Sequence, residues 1–371
     1  MIHRRLSAAA LLALLFAILS APPSGSAWAQ AMDVFEVKRV DVDVTAETAA
    51  KARDQAMAQG QVVAFRRLLE RLVVRVDYGY LPDLSRDEIN PYLSDFSVAE
   101  EKTSSVRYLA KLDFRFKGGE VRRLLTNFAV SFAETPSKPV LVLPVFETAG
   151  TKLLFDDPNP WREAWADRPI RDSLVPTLLP VGDLQDIAII GAEQALAGDR
   201  QRLIEIVKRY GAGDALVAHA IQRLDEFGRP VLEVFVTRYG STLDDHTVSE
   251  VFLSVEGESF EGLMRRAALE LTLRVEDNWK MDNLLQVGQR SVVAATVRIG
   301  GLKDWLQVRK LLDGVAVINS VELVLLSRDE ARINIHYIGA PEQLALALEQ
   351  KDISLLREGD EWILGLASGS R

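Results

Sequence analysis

The sequence predicts an α/β (α+β) protein made of several small modules, each a sheet with helices packed on it. Two kinds of strand pattern lead to this prediction. Residues 34–44 alternate apolar and polar side chains, as half-buried strands do. Residues 140–145 are apolar without interruption, as strands buried on both faces are. Runs with helical spacing separate such strands along the 371 residues, enough chain for two to four domains of roughly 100–200 residues each.

Composition excludes several classes of protein. With 48% hydrophobic and 26% charged residues, the chain has the makeup of an ordinary globular protein. It contains no cysteine, which excludes disulfides, thiol catalysis and cysteine-ligated zinc. Its formal net charge of −9 argues against nonspecific nucleic-acid binding. We therefore expect no nucleic-acid partner, and no pattern in the sequence predicts a cofactor.

Residues 1–31 have the pattern of a secretory signal peptide. Arg4 and Arg5 form a basic start, residues 8–21 are almost wholly apolar, and cleavage after Ala29 or Ala31 would fit an A-x-A box. The apolar run is shorter than the roughly 20 residues that span a bilayer, so we expect cleavage and a soluble periplasmic protein with no transmembrane segment. The signal holds two of the 44 basic residues, so 42 basic and 53 acidic residues remain, a formal charge of −11.

The first predicted module covers residues 32–134. The strand at 34–44 is followed by a long amphipathic helix, and two strands and a short helix complete the order β-α-β-β-α. One face of the long helix carries Ala50, Met57, Ala64, Leu68 and Leu72. The later strands are predicted at residues 96–102 and 106–116, and the short helix at 120–128. Both helices should cover one face of the sheet.

The second predicted module covers residues 138–286, after a Pro-rich linker at 135–139. Its core strand is 140–145. Further strands are predicted at 187–190, 214–221, 231–237 and 248–255, with helices around 203–210 and 260–271.

The third predicted module covers residues 290–368 and has the order β-α-β-β-α-β, the ferredoxin-like split βαβ arrangement. The strands are predicted at 291–299, 315–326 and 331–338, with one or two short strands in 353–366. The helices are predicted at 302–312 and 341–350, the second with Pro341 at its first position.

Residues 154–169 (LFDDPNPWREAWADRP) are the most unusual segment of the chain. One interpretation is structural. Asn159 would cap a helix that begins with Pro160, and Trp161 and Trp165, four residues apart, would share one helix face packed on the strand at 140–145.

The other interpretation of this segment is a binding lip. Asp156, Asp157, Trp161 and Trp165 would then be exposed to a ligand or a partner. The two aspartates beside Asn159 could hold a hard cation, but the twelve-residue calcium-loop pattern is absent, and we predict no metal site.

The sequence predicts no catalytic residue. The three histidines beyond the signal, His219, His246 and His336, have no metal-ligand spacing. His219 lies on a strand face with Val217 and is expected to be a partly buried structural residue. His336 is expected to be solvated, and His246 to lie in a turn.

Four segments of the chain resemble a bacterial envelope family catalogued as domain of unknown function 2066: ARDQAMAQGQVVAFRRLLERLV, VLVLPV, NPWREAW and DWLQVRKLLDGV. The resemblance covers most of the chain beyond the signal, and NPWREAW is its most specific mark. The portion from VLVLPV to GAGDALVAHA is also similar to the amino-terminal module of the translocation protein TolB. The family implies no activity and supplies no catalytic residues, and a similar fold does not by itself imply a function.

We therefore expect a periplasmic, non-enzymatic cell-envelope protein that binds other proteins or envelope components. The alternative is a periplasmic hydrolase or a small-ligand binding protein with its site in the second module, near Asp156 and Asp157. A pocket with converging carboxylates or with His219 would favour the enzyme. Exposed apolar sheet edges would favour a partner surface.

Overall fold

The part of the chain that the structure describes contains three separate sheets with helices packed on them, which confirms the predicted α+β fold. The structure, a computed structural model, describes residues 33–169, 171–240, 246–285, 290–359 and 361–366. The predicted signal peptide, the end of the second module at residue 286 and the end of the third at 367–368 lie outside the described residues. The described residues from Val34 onward form one compact unit.

The first sheet is antiparallel and takes its three strands from the first predicted module, in the order β1-β3-β2. Its strands are β1 (Glu36–Thr45), β2 (Leu93–Thr103) and β3 (Arg107–Phe116). Its helices are α1 (Ala49–Leu72), α2 (Arg86–Ile89) and α3 (Gly118–Asn127), with 3-10 turns at Arg75–Tyr80 and Asn90–Tyr92.

Helix α1 packs closely on this sheet. Thr48 caps the helix by accepting a hydrogen bond from the amide of Lys51 at 3.2 Å. Among the residues predicted for the buried face, Ala64, Leu68 and Leu72 are in the core, Met57 is partly buried, and Ala50 is exposed, which corrects the prediction at that position. A Cβ atom added at Gly60 would lie 3.0 Å from Leu112, so a side chain there would push the helix away from the sheet.

The second sheet has the strand order β5-β4-β7-β8-β9, with β6 paired to β4. The strands are β4 (Val140–Thr148), β5 (Thr151–Leu153), β6 (Thr177–Leu178), β7 (Asp214–Leu224), β8 (Pro230–Tyr239) and β9 (His246–Leu253). The helices are α4 (Pro160–Ala166), α5 (Leu184–Ile189), α6 (Ala192–Leu196), α7 (Arg200–Arg209) and α8 (Phe260–Asp282). Strand β4 is buried on both faces, as its sequence predicts, because Val140 and Val142 belong to one core cluster and Leu141 and Leu143 to another.

The prediction of a strand at residues 187–190 is wrong, because most of this segment belongs to helix α5. Its apolar residues favour a strand by composition. The side chain of Asp183 overrides this tendency by accepting hydrogen bonds from the amides of Gln185 and Asp186, at 3.0 and 2.9 Å. Tertiary packing then buries Ile189 and leaves Ile187 exposed.

The third sheet has five strands in the order β11-β12-β10-β14-β13. The strands are β10 (Arg290–Arg298), β11 (Ile318–Leu326), β12 (Glu330–Ile338), β13 (Ile353–Glu358) and β14 (Glu361–Leu366), and the helices are α9 (Leu302–Asp313) and α10 (Pro341–Glu349). Strand β12 lies antiparallel between β10 and β11, which is the predicted split βαβ unit. The sheet departs from the simple six-element order because β14 pairs parallel with β10 and displaces β13 to the edge.

The connection between the first two sheets is buried rather than exposed, unlike most linkers between domains. Glu134, Thr135 and Ser137 are all buried. The indole N–H of Trp279, near the end of α8, donates to the carbonyl of Thr135 at 2.8 Å. The segment predicted as a linker is therefore part of the packed core.

Helix α8 also binds the end of helix α1 directly. The ammonium group of Lys280 donates to the carbonyls of Glu70 and Val73, at 2.7 and 2.9 Å, and so satisfies acceptors that the last turn of α1 leaves free. No helix within the described ranges is long and apolar enough to cross a membrane.

Candidate functional site

The unusual segment at 154–169 forms a capped helix, which confirms its structural interpretation. The side-chain oxygen of Asn159 accepts from the amide of Arg162 at 3.0 Å, and its side-chain amide donates to the carbonyl of Leu154 at 3.2 Å. Pro160 occupies the first helical position, where its missing N–H is not needed.

The two tryptophans of this segment lie inside the protein. Trp161 and Trp165 are fully buried and meet edge to face, with ring centroids 5.7 Å apart and an interplanar angle of 85°. The indole N–H of Trp161 donates to the carbonyl of Ala218 on β7 at 2.9 Å. The guanidinium carbon of Arg168 lies 4.4 Å from the Trp165 ring centroid.

The binding lip of Asp156, Asp157, Trp161 and Trp165 is therefore not present as an exposed surface. Asp156 and Asp157 are exposed, but both indoles are fully buried, because α4 packs them against β4 and α8. The amide of Asn159 is engaged in capping, and among the described residues no three His, Asp or Glu side chains converge to hold a metal ion.

The second sheet instead brings together a histidine and a carboxylate. The Nε2 atom of His219 on β7 lies 2.9 Å from the Oε2 atom of Glu147 on β4. The parallel register places Val145 beside His219, and Glu147 lies two residues further along β4, on the same face of the sheet. Burial lowers the pKa of His219 below its usual value, and the hydrogen bond to Glu147 opposes this shift. The imidazole is therefore expected to be neutral near pH 7.

A depression of about 490 Å³ surrounds this pair. Its other polar residues include Lys152, Thr237, Tyr239 and Thr247, and the hydroxyls of Thr237 and Thr247 lie 2.7 Å apart. The volume falls within the range of about 300–1,000 Å³ that is usual for ligand sites. A neutral imidazole beside a carboxylate can accept a proton, so the depression could hold a small polar ligand or a water molecule to be activated.

The other two histidines lie apart from this depression. His336 on β12 is 42% exposed at its side chain and lies 3.7 Å from Glu322, which confirms that it is solvated. The prediction that His246 lies in a turn is wrong, because the backbone of His246 begins β9 and pairs with Arg238 of β8. Residues 241–245 before it lie outside the described residues.

An apolar sheet edge is the other candidate site. Strand β11 pairs only with β12 among the described strands and forms one edge of the third sheet. Its four consecutive apolar residues are between 39 and 59% exposed: Leu323, Val324, Leu325 and Leu326. An edge strand presents unpaired backbone N–H and C=O groups, which another strand can pair with.

The open face of this sheet has exposed apolar residues at both edges. Reading across the strands in register, Leu325 lies beside Arg332, then Thr296, Ile363 and Leu356. Leu356 at the far edge is 60% exposed. The site therefore combines an unpaired strand with an open face that is apolar at both ends.

Sequence reasoning missed both the Glu147 partner of His219 and the β11 edge. The histidine and its partner are 72 residues apart, so no local pattern joins them. The run LVLL at 323–326 is a signal that could have been used, since an alternating strand would place polar residues at half of these positions.

Comparison with known proteins adds no relative. No protein-family model matches the chain, and no curated protein matches it.

Proposed function

We propose that this protein is a non-enzymatic envelope protein of the periplasm that binds a partner protein through strand β11. The observation that carries the proposal is the exposed apolar run at the edge of the third sheet. Proteins usually blunt an edge strand with charges, proline, short length or β-bulges. Strand β11 has nine residues, no proline and one charged residue, Glu322, although its register with β12 shifts between Ile318 and Ser320 and between Leu323 and Leu325.

Two other edges of the molecule provide a contrast, whereas β9, at an edge of the second sheet, also carries few charges, with Glu250 as its one acidic residue. Strand β2, at one edge of the first sheet, carries Asp95, Glu100, Glu101 and Lys102. Strand β13, at the opposite edge of the third sheet, is only six residues long and ends in Arg357 and Glu358. Strand β11 is thus longer than β13 and much less charged than β2.

The partner that fits this edge is an extended segment with alternating apolar side chains. It would add a strand beside β11, with main-chain hydrogen bonds giving affinity and the apolar side chains around Leu325 giving selectivity. The periplasmic location is supported by the signal-peptide pattern at 1–31, and an envelope role by the resemblance to the family described above.

A photo-crosslinking residue at Val324 tests the proposal in the native periplasm. The matched control is the same residue at Val251 on β9, the edge of the second sheet, because the two valines are equally exposed, at 59%. We expect a discrete crosslinked protein at position 324 and not at 251. The amides of β11 should then gain protection from hydrogen exchange when that purified protein is added.

Two results would contradict the proposal. One is a crosslinking pattern that is the same at positions 324 and 251. The other is a specific crosslink at 324 without any new protection of β11 amides, because strand addition requires main-chain pairing.

Location has its own test. The amino terminus of the periplasmic protein, read by mass spectrometry, should begin after Ala29 or Ala31. A protein that keeps residues 1–31 and sediments with membranes would contradict export with cleavage.

A second candidate function, a hydrolase or a small-ligand binding protein, is favoured by the pair His219–Glu147. A neutral His219 held by a carboxylate is arranged as a general base would be. Screening model esters and phosphoesters with the protein and with its His219→Gln variant tests this candidate. Turnover that is absent, or equal in the two proteins, would rule against it.

A further inference from the structure

A cavity of about 580 Å³ is lined by residues of β1, α1 and β3 together with Pro169, Arg171 and Asp172. Its size is within the usual range of ligand sites. Six cationic side chains line it: Lys38, Arg39, Arg67, Arg71, Lys111 and Arg171. Four acidic side chains also line it, so the lining has a formal charge of +2 in a chain whose net charge is −9.

Most of the acidic charge in this lining is already paired. Three of the four acids each contact a cation within 3.2 Å. These pairs are Arg71–Asp172 (3.2 Å), Lys280–Glu276 (2.9 Å) and Arg66–Glu70 (2.8 Å). Four of the six cations are paired as well: Arg71 with Asp172, Lys38 with Glu36, and both Arg39 and Lys111 with Glu100. The positive potential in the cavity therefore comes mainly from Arg67 and Arg171.

Two arginines remain available to a ligand. Arg67 on α1 and Arg171 are both exposed, and neither forms an ion pair with any residue that the structure describes. Arg71 at the base is buried, and its Nη1 donates to the carbonyls of Val34 and Glu36, at 2.6 and 2.8 Å. The guanidinium of Arg71 is thus bound to carbonyls of the protein itself, while those of Arg67 and Arg171 are uncommitted.

A bulge in β1 adds two more cations to the same cavity. In a regular strand, neighbouring side chains point to opposite faces. The register of β1 shifts between Val37 and Val40, and Arg39 has a φ of 53°, so Lys38 and Arg39 both line the cavity. A side chain other than glycine rarely adopts this backbone conformation, and such residues concentrate at functional sites. The amide of Arg39 is held there by Asp113, at 2.7 Å.

We propose that this cavity binds a phosphomonoester group. A phosphomonoester carries a charge of roughly −1.5 to −2 near pH 7, which complements the two guanidinium groups of Arg67 and Arg171 better than a single carboxylate does. Guanidinium groups bind phosphate oxygens through paired hydrogen bonds, a role open to Arg67 and Arg171. The inference is independent of partner binding at β11, which involves the third sheet.

Calorimetry on the exported protein tests this site with two probes that separate the sources of the phosphate. The probes are glycerol 3-phosphate and phosphatidylcholine vesicles that contain phosphatidate. We expect binding of at least one probe, weakened tenfold or more in the Arg67→Gln/Arg171→Gln variant. Binding of vesicles alone would identify a lipid headgroup as the source, and binding of glycerol 3-phosphate would identify a soluble ligand.

The matched control is Arg309→Gln/Lys310→Gln on α9, which removes the same charge from two exposed positions. It should leave the affinity unchanged. If the first variant is unstable, Lys38→Gln provides a second measurement at another exposed residue of the lining and should also weaken binding. The proposal is overturned if neither probe binds, if the control weakens binding equally, or if the cavity variants bind as the original protein does.

Discussion

Trp161 and Trp165 lie one turn apart on α4 and are buried to the same degree, but the surroundings of their indole N–H groups differ. The N–H of Trp161 donates to Ala218, at 2.9 Å. In the part of the chain that the structure describes, the buried N–H of Trp165 has no hydrogen-bond acceptor. The two residues therefore offer a comparison of the same side chain with and without its polar partner.

Replacing either tryptophan with alanine should reduce the free energy of unfolding by about 3–5 kcal/mol, because each change leaves a large cavity. The phenylalanine variants are more informative. Trp161→Phe should be more destabilising than Trp165→Phe by about 1 kcal/mol or more, since only the first loses a hydrogen bond. Denaturant unfolding of the four variants measures this. Unchanged midpoints for both alanine variants would mean that the segment is not part of the core.

Asn159→Ala should reduce the free energy of unfolding by about 1 kcal/mol, because α4 loses its cap. Asn159→Asp is the control. Aspartate keeps the oxygen that accepts from Arg162 but loses the N–H that donates to Leu154. Urea unfolding should place Asn159→Asp between the original protein and the alanine variant. An alanine variant as stable as the original would show that the cap contributes nothing.

Lys280→Met should reduce the free energy of unfolding by about 3–5 kcal/mol, because it leaves Glu276 buried without its partner. Burial lowers the pKa of Lys280, and the charge of Glu276 opposes this. The double variant Lys280→Met/Glu276→Leu removes both charges and should recover part of the loss. Chemical unfolding of both variants tests the pair. A double variant no more stable than Lys280→Met would show that the loss does not come from the unpaired Glu276 but from the lost contacts to Glu70 and Val73.

The buried His219 should make the protein lose stability in mild acid. Its pKa is lowered in the fold, so the unfolded chain binds the proton more tightly. His219 therefore makes its full contribution to the free energy of unfolding above the unfolded pKa of about 6.5. This contribution falls as the pH drops from there toward the folded pKa. Between pH 7.5 and 5, thermal unfolding should show a smaller loss of stability for His219→Gln than for the original protein. Equal losses in the two proteins would show that His219 does not titrate in this way.

The sequence predicts the elements of this fold better than their arrangement. Alternation and apolar runs locate β1 and β4, and the Asn-Pro pair at 159–160 predicts the start of α4, because these signals are local. The segment at 187–190 is assigned wrongly because one cap residue outweighs its composition.

The candidate sites depend on contacts that no local pattern contains. The exposure of β11 depends on which strand lies at the sheet edge, and the position of β14 between β10 and β13 shows that sequence order does not decide this. The phosphate cavity joins Lys38 and Arg67 to Arg171, more than a hundred residues later in the chain.

The buried connection at 132–137 determines how the first two sheets unfold. The carbonyls of Phe132 and Thr135 accept hydrogen bonds from Leu285 and Trp279, so a protease can reach this segment only after the end of α8 has detached. The first two sheets should therefore melt in one cooperative transition. A chimera whose first sheet and connection come from a relative must also take the last turns of α8 from that relative. About 150 residues separate the connection from the end of α8 in the chain.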